Sequence, residues 1–71
     1  MTVDNLEYDL LTTLQSKLEA LDAYDAYIED CVDAGNDTLR EMFEEIQSDD
    51  ERHSIRLRQA LARYLASTAE Q

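Results

Sequence analysis

Apolar residues recur along the first half of the chain at alternating steps of three and four: Leu10, Leu14, Leu21, Tyr24, Ile28 and Cys31, with Lys17 holding the one polar place in the series. The second half repeats the spacing through Leu39, Phe43, Ile46, Leu57, Ala60 and Tyr64, and here Asp50 and His53 interrupt it. This period predicts two amphipathic α-helices packed at a shallow crossing angle. Between them lies the strong break, Asp33-Ala34-Gly35-Asn36-Asp37, in a chain with no proline and one glycine. Gly35 can take the left-handed conformation that closes a helix at its carboxyl end, and Asn36 or Asp37 can cap the helix that follows. The expected fold is therefore all-α, a single antiparallel two-helix hairpin over residues 1–71. Helix 1 runs from about Asp4 to Asp33, the turn covers 34–36, and helix 2 runs from Asp37 to about Ala66, with Ser67 to Gln71 as a fraying tail.

Further apolar positions, among them Leu6, Leu11, Leu18, Met42, Ile55, Leu61 and Leu65, widen each stripe beyond what one neighbouring helix can cover. A hairpin alone would leave that surface wet. Pairing two hairpins into a four-helix bundle covers both stripes, and a two-fold homodimer is the simplest closed solution, with a higher homo-oligomer as the extension of it. A chain of 71 residues buries only about 60% of the surface its unfolded form exposes, which makes such help necessary.

Charge narrows the partners. Seventeen acidic and six basic residues leave a net charge of −11, which opposes binding to phosphate backbones, so nucleic acid is not an expected partner. No segment approaches the roughly 20 apolar residues needed to cross a bilayer, so no membrane partner is expected. The amino terminus has no basic stretch followed by an apolar run, and Cys31 is the only cysteine; a lone thiol suits a reducing compartment, and the expectation is a cytoplasmic protein. Cys31 has no positioned base to make it a nucleophile, and with Tyr27 and Met42 it reads as packing.

The polar interruptions coincide. With the turn centred between Ala34 and Gly35, position 17 lies opposite position 52, so Lys17 faces Asp50 and His53, which share one face of helix 2 at a spacing of three. Unpaired charge inside a seam is costly, so this layer requires internal pairing, a metal or access to water. Asp50 and His53 offer an oxygen and an imidazole nitrogen, donors suited to iron, manganese or zinc. Alternatively Lys17 pairs with Asp50, and His53 satisfies itself by hydrogen bonding. Tyr24 packs beside the layer, its hydroxyl free to bond Asp50 or water.

Two stretches carry a resemblance. Lys17-Leu18-Glu19-Ala20-Leu21-Asp22-Ala23-Tyr24-Asp25 is similar to the first ligand helix of the ferritin-like superfamily, where a ligand glutamate precedes a tyrosine by seven residues. Phe43-Glu44-Glu45-Ile46-Gln47-Ser48-Asp49-Asp50-Glu51-Arg52-His53 is similar to the helix bearing the family's Glu-x-x-His ligands. The chain most resembles the half-length, two-helix members typified by encapsulated ferritins, with rubrerythrins as longer relatives. That resemblance implies a dimeric ferritin-like four-helix bundle with a ferroxidase-type site between subunits, binding ferrous iron and oxidising it with dioxygen or peroxide. Its metal ligands would be Asp50 and His53, Tyr24 would stand beside the metal, and Glu19 or Asp49 would be outer acidic residues near the site. An encapsulin shell would be the larger partner. The short apolar targeting peptide that shell cargo carries is not found in Ala66 to Gln71, which reads ASTAEQ.

The chain departs from the family at Lys17, which stands where the first ligand glutamate belongs. In a family dimer four carboxylates and two neutral histidines balance two divalent ions. Here two aspartates and two lysines already cancel, and adding two divalent ions leaves an excess of four positive charges at low dielectric. A metal-free pseudo-ferritin, with a Lys17–Asp50 pair in place of the metal and a structural or interaction role, is the alternative expectation.

Overall fold

The computed structural model describes residues 4–69, which form two α-helices and no strand: α1, Asn5–Asp33, and α2, Asp37–Ala69. The helices run antiparallel, joined by side-chain bonds from Lys17 to Asp50 and from Gln47 to Asp25. The helical hairpin read from the spacing is thus the fold.

Each boundary has a local cause. At the start of α1, Asp4 is extended at ψ 165° and its carboxylate accepts the Glu7 amide at 2.9 Å, filling one of the amide vacancies of a helix start. Gly35 sits at φ 67°, the left-handed region that a side chain would strain. Around it the Gly35 amide donates to the Val32 carbonyl at 3.0 Å and the Asn36 amide to the Cys31 carbonyl at 2.9 Å, the paired bonds of a Schellman closure. The Asn36 side chain then accepts the Leu39 amide at 3.0 Å and so caps α2. At the far end α2 continues to Ala69, past the expected stop at Ala66. Ser67 and Thr68 carry no breaker, and the Thr68 hydroxyl donates to the Leu65 carbonyl at 3.1 Å; the rest of the expected tail, Glu70 and Gln71, lies outside the described residues.

Two helices side by side make one layer. The molecule measures 55 × 19 × 12 Å, and its short dimension is a single helix diameter. A helix stripe has to bury itself against a second layer, and here there is none. Cys31, beneath the turn, is the one buried apolar residue among those described, whereas Leu6 is 60%, Leu11 43% and Ile55 55% exposed. The accessible surface is 5493 Å², against about 4,500 Å² for a compact monomer of the same mass. The surplus, roughly 1,000 Å², matches the ~800 Å² that each partner contributes to a standard protein interface.

The seam of α2 also differs from the one read off the sequence. His53 and Ala60 are exposed, and Ser54 and Leu61 take the inward places. An undistorted helix advances about 100° per residue, so four-residue steps from Asp50 to Ser54 and from Leu57 to Leu61 hold the inward direction, while positions 53 and 60 swing roughly 60° or more to one flank. Leu39 and Met42 are 42% exposed and Tyr27 46%, so near the turn the expected packing residues are also only partly covered.

Candidate functional site

The layer built around Asp50 contains the most deeply buried charge among the described residues, at 7% exposure. Its two carboxylate oxygens are divided between two donors from α1. The Lys17 ammonium donates to Oδ1 at 2.8 Å, and the Tyr24 hydroxyl donates to Oδ2 at 2.6 Å. Lys17 and Tyr24 lie two turns apart on α1 and straddle Asp50, so the spacing of seven that resembles a metal-site motif here serves to grip one carboxylate from both sides. His53, one turn along α2, brings Nδ1 to 3.5 Å from Oδ1, beyond the range of a good hydrogen bond.

These contacts set the electrostatics. The Lys17 ammonium beside it, followed by the Tyr24 hydroxyl, holds the Asp50 carboxyl below its ordinary value of 3.8, outweighing burial, which acts in the opposite direction. The same bond, made to a carboxylate, pushes the Tyr24 phenol above its ordinary value of 10.0. Asp50 is therefore held as a carboxylate and Tyr24 as a donor. At the open end of the hairpin the nearby Asp4 carboxylate raises the Tyr64 phenol, and Asp4 itself is lowered first by the Glu7 amide.

The structure thus brings Lys17, Tyr24 and Asp50 into direct contact and sets His53 at the rim, with its side chain half exposed. It does not bring the two outer acidic residues to Asp50. Glu19 lies on the opposite flank of α1, where it accepts from Gln15 at 3.3 Å. Asp49 points aside and pairs with Arg52 of its own helix. Two residues of the layer escaped the sequence reading. Ser54 is 7% exposed and returns its hydroxyl to the Glu51 carbonyl at 2.8 Å, and Gln47 reaches across to Asp25 at 2.9 Å. The available signal was the step of three and then four, which places 47, 50 and 54 along one face as a 3.6-residue helix requires.

The donor set of one chain does not suit the iron that the resemblance implies. Among the described residues no three His, Cys, Asp or Glu side chains converge on one point. Asp50 already spends an oxygen on an ammonium and the other on a phenol, and a cation brought to that carboxylate would meet the Lys17 charge beside it. Beside the layer lies an open groove of about 330 Å³ lined by Thr13, Lys17, His53, Arg56, Leu57 and Ala60, a wall with three nitrogen-bearing side chains and no carboxylate.

No family model, curated protein sequence or solved structure matches this chain. The candidate site therefore rests on its own geometry.

Proposed function

We propose that this chain is a metal-free, self-associating helical-hairpin module of pseudo-ferritin type, in which the Lys17–Asp50–Tyr24 layer sets the register of packing and takes the place of a metal centre. The observation that carries this reading is that each oxygen of the buried Asp50 carboxylate already accepts a hydrogen bond, one from Lys17 and one from Tyr24. A buried polar pair stabilises little net, because desolvation offsets attraction, but it penalises every register that separates the partners. Self-association is supported by the surplus surface and by the wet leucines on both flanks; a second hairpin packed on them completes a four-helix bundle.

Calorimetric titration of ferrous iron under anaerobic conditions tests the metal side of the reading. The wild type is expected to take up no stoichiometric ion, and Lys17→Glu, which restores the carboxylate of the family pattern, is expected to gain binding. Stoichiometric uptake by the wild type that disappears in His53→Ala would overturn it. Iron handling between two chains, with ferroxidase-type activity, is the second reading. It is favoured by the nearness of Asp50 and His53 on one face and by the open groove beside them, and it draws its missing carboxylates from another chain.

A further inference from the structure

The chain has six Lys and Arg residues, and half of them are engaged in ion pairs. Lys17 is paired with Asp50, Arg40 with Asp37 and Glu44, and Arg52 with Asp49. Arg56 makes no ion pair among the described residues, and it lines the open groove together with Lys17 and His53, over an apolar floor of Leu57 and Ala60. In a chain of net charge −11 the lining of this groove holds no carboxylate, and Arg56 is its uncompensated positive charge.

The complementary surface is on the same molecule. A groove of about 500 Å³ runs along α1, floored by Leu11, Leu14 and Leu18 and edged by Glu19 and Asp22. Neither acidic residue makes an ion pair among the described residues, and Leu11 is 43% and Leu18 36% exposed. At about 100° per residue, positions 11, 15, 18 and 22 point roughly 150° away from positions 13 and 17. The two grooves therefore face opposite ways and cannot meet within one hairpin. They lie at the same level, since the leucine ridge spans residues 11–22 and the basic groove meets α1 at Thr13 and Lys17. A second copy placed alongside, parallel and without axial shift, sets the leucine ridge of one over the basic groove of the other.

Two-fold contacts centred on either groove fare worse. Groove on groove sets Arg56 against its own copy, and ridge on ridge does the same with Glu19 and Asp22; like charges brought together across an interface are repelled. Resting on the self-association proposed above, we infer that the contact between copies is heterologous: the Leu11–Leu18 ridge, with Glu19 and Asp22, docks into the Lys17–His53–Arg56 groove of the next copy. Such a contact leaves one face free at each end, so assembly proceeds past the dimer until a ring closes or a filament forms.

Sedimentation velocity across a concentration series tests this on the full chain, with circular dichroism to show that each variant keeps its helices. Wild type is expected to form species larger than dimers that weaken as salt rises. Arg56→Glu alone and Glu19→Arg with Asp22→Arg together are each expected to lower the association constant at least tenfold. Mixing those two variants is expected to restore association, because each then presents a face opposite in sign to one on the other. If the Glu19→Arg, Asp22→Arg variant assembles as wild type does, or if assembly stops at a dimer, the heterologous contact is overturned while self-association stands. A wild type that remains monomeric at hundreds of micromolar overturns both.

Discussion

The Asp50 layer and the leucine flank of α1 invert the usual distribution of residues, with a carboxylate at 7% exposure on one helix and leucines at 36% and 43% on the other. The carboxylate is complete within one chain: both oxygens have donors, and no buried side-chain polar atom among the described residues lacks a partner. The leucines are incomplete, since a single layer has nothing to set over them. The contrast teaches that a hairpin of this length can satisfy its polar groups by pairing its two helices, but cannot satisfy its apolar ones. Hydrogen bonding requires one partner at the right distance, whereas burial requires a surface. What this hairpin lacks is apolar area set over its leucines, not partners for its polar layer.

The largest expected break in this contrast comes from leaving the buried carboxylate without its cation. Lys17→Met should cost about 3 kcal/mol in urea unfolding, the low end for a buried pair because the Lys17 side chain is 33% exposed. Lys17→Met combined with Asp50→Leu should recover most of it, because a matched apolar pair leaves no orphaned charge. Recovery absent from the double variant would mean that the pair carries net attraction. Next in size is Tyr24→Phe, which removes one donor to a charged acceptor and is expected to cost about 1.5–3 kcal/mol, read from the same denaturation curves. Its effect should shrink in the Asp50→Leu background, where there is nothing left to bond.

Acid should act on the same layer more gently. Since Asp50 is lowered in the folded chain from its ordinary 3.8, its contribution is fully present above that value and is lost as pH falls through the lower folded value. Thermal unfolding followed from pH 6 to pH 2 should show this loss in wild type and a flatter profile in the Lys17→Met, Asp50→Leu variant. At the small end, Leu11→Gln and Leu18→Gln remove apolar atoms that are already wet. They should change the unfolding free energy of dilute monomer by less than about 0.5 kcal/mol and yet weaken association at high protein concentration. A large effect in dilute monomer would place those side chains in a core and erase the contrast.

Much of this molecule is legible in the order of its residues. The heptad-like spacing names two helices, Gly35 names the turn, and antiparallel counting from the turn sets Lys17 opposite Asp50 and His53. Those features are local, or follow from local geometry repeated along a helix, and so they survive in a one-dimensional reading. His53 was less legible. A seam read at three- and four-residue steps places it inward, but a helix of 3.6 residues per turn drifts against that pattern, and after Asp50 the inward place goes to Ser54. The phase of a helix about its own axis is decided by everything packed on it at once.

The sequence by itself determined the hairpin, its caps and turn, the presence of more apolar surface than two helices can cover, and the level at which charge enters the seam. Only the tertiary structure decided that Lys17 and Tyr24 divide the two oxygens of Asp50 between them, that His53 and Arg56 open onto a groove, and that Glu19 lies on the other flank, away from the site its motif suggests. The physical reason is range. Spacing along a helix sets which residues share a level, but a hydrogen bond is decided within a few tenths of an ångström and a flank by the rotation of the whole helix, and neither is written in the order of residues alone.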